Sequence, residues 1–82
     1  MKITIYGSDL CSDCRGAKEV FEENKIEYVF KDITKELVNL KEFLAIRDTN
    51  PCYGKIKEQY GLGIPCIVKE DGSVTLDPKE LI

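Results

Sequence analysis

Apolar and polar positions change their period several times along the chain. Ile3 and Ile5 alternate with Lys2 and Thr4 ahead of Gly7, the two-residue period of a half-buried strand. From Ser12 the period lengthens. Cys14, Ala17, Val20 and Phe21 share one side of a helix, Arg15, Lys18, Glu19, Glu22 and Glu23 take the other, and Asn24 offers a stop. Residues 26–31, rich in β-branched and aromatic side chains, predict a second strand. Thr34 then reads as the N-cap of a helix running to about Asp48, with Leu37, Leu40 and Leu44 as its apolar stripe, widened by Val38 and Phe43. Asn50 ahead of Pro51 predicts a short third helix whose inner face carries Tyr53, Ile56 and Tyr60 and which Gly61 closes. Residues 64–69 read as a buried strand, Asp71-Gly72 as a hairpin turn and residues 74–76 as the returning strand. Asp77 and Pro78 open a last helical turn carrying Leu81 and Ile82, and Asp77 and Glu80 have the spacing of a capping box.

The predicted order is β-α-β-α-(α)-β-β-α. A leading β-α-β unit demands parallel strands joined by a right-handed crossover, and the hairpin adds an antiparallel edge. The expectation is a single α/β domain over residues 1–82, a small mixed four-stranded sheet with helices on both faces. A chain of 82 residues leaves no room for a second domain. At this size only about 60% of the unfolded surface is buried, so the core is expected to be small.

Composition narrows the functions. With 43% hydrophobic and 33% charged residues the chain is neither disordered nor fibrous. A net charge of −3 with no basic cluster argues against nucleic acid as a partner. No apolar run approaches the roughly 20 residues of a membrane span. The chain starts on a strand pattern where a signal peptide would carry its apolar core, so a cytoplasmic protein without a membrane partner is expected. The absence of histidine removes Cys/His and Ser/His catalysis and His-ligated zinc.

The remaining chemistry lies in four cysteines, Cys11, Cys14, Cys52 and Cys66. In a reducing compartment they read as reduced thiols, a redox pair or a metal site rather than a disulfide framework. Cys11-Ser12-Asp13-Cys14 falls where a loop hands over to a helix. Unpaired amides and the helix dipole stabilise an anion at such a point, and cysteines there ionise more easily than ordinary thiols. Asp9 and Asp13 oppose ionisation of Cys11, whereas Arg15 and Lys18 favour it. Cys14, nearly one helical turn on, can reach Cys11 and heads the apolar stripe. It reads as the resolving thiol of a redox-active Cys11–Cys14 pair. A zinc ribbon needs a second close pair, which Cys52 and Cys66 do not make. Two alternatives stand beside the enzyme: a metal- or iron–sulfur-binding module and a non-catalytic docking module. Cys66 reads as a core position and Cys52 as incidental. Pro65 fits the start of a strand, where its missing N–H costs nothing.

Ile5-Tyr6-Gly7 leading into Cys11-Ser12-Asp13-Cys14-Arg15-Gly16-Ala17-Lys18 resembles the glutaredoxins, whose first strand runs into C-x-x-C-x-x-A-K. Gly63-Ile64-Pro65 is similar to their cis-proline segment, and Asp71-Gly72 falls where their hairpin does. The resemblance covers nearly the whole chain. It implies the thioredoxin fold, thiol–disulfide oxidoreductase activity through Cys11 and Cys14, and a substrate backbone pairing with Ile64 beside a cis Pro65. It implies disulfide substrates, no resident cofactor or metal, a monomer, and glutathione or thioredoxin reductase as the source of electrons. The family pattern is broken at Ser8, where a lysine is common, and at Ser12-Asp13, where Pro-Tyr is common. Leu76-Asp77-Pro78-Lys79-Glu80 lacks the Gly-Gly and acidic pair that serve glutathione in the family.

Overall fold

The computed structural model describes residues 3–54 and 62–82. Four strands, β1 (Ile3–Gly7), β2 (Tyr28–Asp32), β3 (Cys66–Val68) and β4 (Val74–Thr75), form one sheet in the order β2-β1-β3-β4. β1 and β2 run parallel, with Gly7 opposite Asp32, while β3 runs antiparallel to β1 and β4 antiparallel to β3. Two α-helices, α1 (Ser12–Glu23) and α2 (Leu37–Thr49), complete a mixed α/β architecture. Among the described residues no helix is long and apolar enough to cross a membrane.

Side-chain alternation along β1 divides the core between the two faces of the sheet. Ile3 and Ile5 join Phe21 and Ile67 on the face covered by α1, with Leu81 packed against them. Tyr6 and Cys66, which are register partners, join Ile33, Phe43 and Tyr53 on the face covered by α2. Phe21 and Phe43 are fully buried, each stabilising its helix–sheet contact by about 1.5–3 kcal/mol. Phe43 meets the Tyr53 ring edge-on at 6.1 Å.

α1 has the bounds its apolar period predicts. Its end is a Schellman arrangement in which Ile26 N–H donates to Phe21 C=O and Lys25 N–H to Glu22 C=O. Lys25, not Asn24, takes the left-handed conformation, at φ 56°.

The second helix starts later than expected. Glu36 is its N-cap, in extended conformation and with no side-chain cap bond, because Thr34 is occupied elsewhere. The Thr34 N–H and hydroxyl both donate to Asp32 Oδ1, at 2.8 and 2.5 Å, which folds the chain into a turn before the helix begins. The late start leaves Leu37 and Val38 exposed, and burial is carried by Phe43, with Leu40, Leu44 and Ile46 packed around its cluster.

The third helix is entered through a 3₁₀ turn, Pro51–Tyr53, and Gly54 after it is α-helical. The positions expected to complete that helix, Ile56, Tyr60 and Gly61, lie outside the described residues, as does Lys2 of the first strand. The third strand is shorter than expected. In its hairpin only Gly72 has positive φ, at 88°, and its N–H donates to Lys69 C=O. The last element is a 3₁₀ helix, Pro78–Leu81, capped at its start by Asp77 accepting from Lys79 N–H at 2.9 Å. The capping box does not close: the Glu80 carboxylate takes the Thr75 hydroxyl at 2.6 Å and the Lys69 ammonium at 3.3 Å. Asp77 N–H donates to Thr75 Oγ1 instead, and Ile82 stays exposed.

Candidate functional site

Parallel β1 and β2 end on the same edge of the sheet, and the loop leaving β1 carries Cys11 into the start of α1. Cys11 is the N-cap residue. It is half-buried, its backbone is extended (φ −98°, ψ 123°), and its carbonyl accepts from Arg15 N–H at 3.1 Å. Its side chain makes no capping hydrogen bond, which leaves the sulfur available at the end of the helix dipole. Cys14 heads the buried stripe of α1 and is fully out of solvent. Both are free thiols. The two thiols expected to act together thus stand three residues apart at the head of α1, one half-exposed and the other enclosed.

Burial pushes the Cys14 thiol up to about 12 from its ordinary 9.0. The Ser8 N–H facing its sulfur works in the opposite direction, and the hydrogen bond and charge of Cys11 add to the rise, as does Asp13. On the α2 face, burial and the hydrogen bond to Glu42 push Tyr6 up to about 12 from 10.0. Both groups are neutral when folded, and both would lose their protons first in the unfolded chain. Their contribution to stability is complete below about pH 9 and is lost as pH rises through 12. The reduced protein is thus expected to melt at steadily lower temperature above about pH 9, and Cys14→Ala should soften the first part of that decline. Calorimetry across the alkaline range checks this; a melting temperature unchanged up to about pH 11 would contradict it.

Gly7 makes room for the enclosed sulfur. A Cβ at this position would stand 2.7 Å from Cys14 Sγ and 3.3 Å from Cys14 Cβ. The surrounding charges are largely paired. Lys18 Nζ lies 2.7 Å from Asp9 Oδ1 and 4.2 Å above the Phe30 ring, Lys35 lies 3.9 Å from Asp9 Oδ2, and Arg15 donates to the Asp9 carbonyl at 2.6 Å. Asp9, expected to oppose ionisation of Cys11, is thus offset by two ammonium groups.

Ile64 and Pro65 are joined by a cis peptide bond, with Ile64 half-buried and Pro65 buried. Tyr53, fully buried, holds this segment by donating from its hydroxyl to the Gly63 carbonyl at 2.8 Å. A cleft of about 590 Å³ runs between Ser12, Asp13 and Gly16 of α1, the Ile64-Pro65 pair and Pro78. Val20 and Leu76 extend its apolar lining, and its charged groups are Asp13, Asp77 and Lys79. Ser12 and Asp13 are the two residues between the cysteines, so the cleft opens beside the thiol pair.

Cys66, next to Pro65, points to the opposite face and is fully buried with Tyr6, Phe43 and Tyr53, the core role expected of it. Cys52 contributes its backbone to the Pro51–Tyr53 turn. Among the described residues no group of three or more Cys, Asp or Glu side chains is arranged to hold a metal ion. Two supporting residues had no functional reading from sequence: Gly7 and Tyr53. Gly7 alone carried a signal, as a glycine at the strand end that faces the loop.

No protein-family model matches the chain, and no solved structure matches it. A Haemophilus influenzae protein described as uncharacterized is 28% identical over 80 residues, which span 98% of this chain and 93% of that protein.

Proposed function

We propose that this chain is a dithiol–disulfide oxidoreductase with a glutaredoxin-like thioredoxin fold, working in the cytoplasm through Cys11 and Cys14. The observation that carries the reading is the unlike pair at the start of α1: a half-buried Cys11 at the helix N-cap and a fully buried Cys14 three residues on. The cleft beside them, bordered by the cis Ile64–Pro65 bond, supports it as a groove for an extended substrate segment.

In the first step the Cys11 thiolate attacks one sulfur of a substrate disulfide. The substrate S–S bond breaks, the departing sulfur leaves as a thiolate that takes a proton from water, and a Cys11–substrate disulfide forms. With the Cys11 sulfur tied up as a neutral disulfide, the charge that helped hold the proton on Cys14 is gone. Cys14 then loses its proton and attacks Cys11 Sγ, expelling the second substrate thiolate. Two electrons have passed to the substrate, and a Cys11–Cys14 disulfide remains for an external reductant to reopen.

The charges of the cleft bear on that reductant. Two carboxylates, Asp13 and Asp77, face one ammonium, Lys79. Glutathione brings two carboxylates of its own, so this lining suits a neutral or cationic peptide better. We therefore favour a protein-supplied source of electrons, with disulfides in extended peptide segments as substrates.

A pair of coupled assays on one disulfide substrate tests the reading, one supplied with glutathione and its reductase, the other with thioredoxin reductase and NADPH. Turnover with thioredoxin reductase and little with glutathione is expected, together with a Cys11–Cys14 disulfide in the oxidised protein by peptide mapping. A reduced protein that transfers no electrons to any disulfide, and forms no such linkage, defeats the proposal.

A further inference from the structure

Glycine is a poor residue for the interior of a helix, where it destabilises relative to alanine. Gly16 stands one turn into α1 with an ordinary helical backbone, not the positive φ that favours glycine. Gly7 is small because Cys14 Sγ lies against it, but Gly16 has no such neighbour. A Cβ at Gly16 would meet no atom within 4 Å, so packing within the chain does not call for a glycine there. The open space belongs to the cleft beside the thiols, which Gly16 lines.

The neighbours of that space suit an aliphatic side chain. Ser12, Gly16 and Val20 follow one another at every fourth residue and so share one stripe of α1 along the cleft. Ala17 is buried, and Val20, Leu76 and Pro78 are half-buried, which makes the lining around Gly16 apolar. The charged groups of the cleft, Asp13, Asp77 and Lys79, are all exposed and stand at its rim. Two carboxylates against one ammonium disfavour an acidic group there. Distance along the helix then selects one position of a substrate. Gly16 lies five positions after Cys11, a rise of about 7.5 Å along a helix. In an extended segment, residues two apart are separated by about 6.6 Å and point their side chains the same way. With the substrate cysteine on Cys11, the side chain that comes over Gly16 is the one two residues from that cysteine.

We propose that Gly16 opens a subsite for an aliphatic side chain two residues from the cysteine of a substrate disulfide, and that this side chain decides which substrates react fastest. The inference rests on the oxidoreductase reading above and names the segments that the cleft prefers. A leucine-sized side chain exchanges water for the surfaces of Ala17, Val20, Leu76 and Pro78. An alanine at the same position leaves most of the space to water. A glutamate brings a third carboxylate to Asp13 and Asp77. The selection acts on the first attack, because the substrate segment must lie in the cleft for its sulfur to meet Cys11.

The test uses the reduced protein and the homodisulfides of three peptides: acetyl-Leu-Gly-Cys-Gly-Leu-amide and its counterparts with alanine or glutamate in both leucine positions. The same residue on both flanks makes the result independent of the direction in which the segment lies. Each reaction turns one peptide disulfide into two peptide thiols and leaves a Cys11–Cys14 disulfide, so no other reductant enters. Peptide thiol is measured by chromatography of acid-quenched samples, and each rate is divided by that of the same peptide with dithiothreitol. The leucine peptide should react about tenfold faster than the alanine peptide, and the glutamate peptide more slowly than either at low salt. Gly16→Leu fills the subsite from within and should bring the leucine-to-alanine ratio close to one. Gly16→Ala should lower the ratio part of the way while raising the melting temperature by a few degrees. If Gly16→Leu does not fold, Gly16→Ala and the wild-type peptide series carry the test. Equal rates for the leucine and alanine peptides with the wild-type protein, or a wild-type ratio in the Gly16 variants, overturns the proposal. A wild-type protein that reduces none of the three peptides and forms no Cys11–Cys14 disulfide overturns the oxidoreductase reading instead.

Discussion

Cys11→Ser is expected to lose disulfide reduction by about a thousandfold or more, because an alcohol at the N-cap cannot supply the nucleophile. Cys14→Ser is expected to behave differently. Its Cys11 still attacks, but no enclosed thiol follows, so the protein stops as a mixed disulfide that mass spectrometry of the intact adduct detects. The asymmetry follows from burial: Cys11 is half-exposed and Cys14 is sealed under β1. A Cys11→Ser protein with wild-type turnover, or a trapped adduct on Cys14 in place of Cys11, contradicts the assignment of roles. Fold stability should change little in Cys11→Ser, since the Cys11 side chain makes no cap bond for the substitution to remove.

Gly7→Ala should act on the same pair from beneath. The added methyl would sit 2.7 Å from Cys14 Sγ and 3.4 Å from a Phe30 ring carbon, and neither neighbour is the free end of a flexible side chain. Overpacking of this kind costs about 1–3 kcal/mol, partly offset by the reduced freedom of the unfolded chain, worth about 0.4–1 kcal/mol. The penalty is steric and not conformational, because Gly7 is an ordinary strand residue without positive φ. Urea unfolding of the reduced protein should show the loss, and resolution of the mixed disulfide should slow as Cys14 is displaced from Cys11. Unchanged stability together with unchanged resolution would mean that the sulfur has free space, contrary to the packing described.

Much of the site was legible from residue order. A stripe of Cys14, Ala17, Val20 and Phe21 can only be one side of a helix, and its start fixes the spacing of Cys11 and Cys14. The period-two pattern of β1 forces Ile5 and Tyr6 to opposite faces of the sheet. Cys66, facing Tyr6, was likewise a core position by alternation alone. Where sequence reasoning failed, the reason was competition. Thr34 is as good a cap residue as any, but Asp32, two residues earlier, accepts from both its N–H and its hydroxyl and folds the chain into a turn there. Glu80 has capping-box spacing from Asp77, yet Thr75 and Lys69 met its carboxylate first. Leu37 and Val38 were apolar at helical spacing and remained outside because the helix began too late to bury them.

The sequence by itself determined local periods, the placement of two thiols at the head of a helix, and a proline at the entry to a strand. These depend on neighbours a few residues away, and near neighbours are what order along a chain specifies. Tertiary structure alone decided that Gly7 of β1 makes the room for the enclosed thiol, which residues line the cleft with Pro65, and that Tyr53 grips the Gly63 carbonyl. It also decided the run of hydrogen bonds from Asp32 through Thr34 to Ser8. Those contacts join groups up to dozens of residues apart, and they arise because parallel β1 and β2 finish at one edge and bring their following loops together. A hydroxyl, an amide or a carboxylate takes whichever partner the assembled chain brings near, and that choice is written in distances that no spacing along the sequence contains.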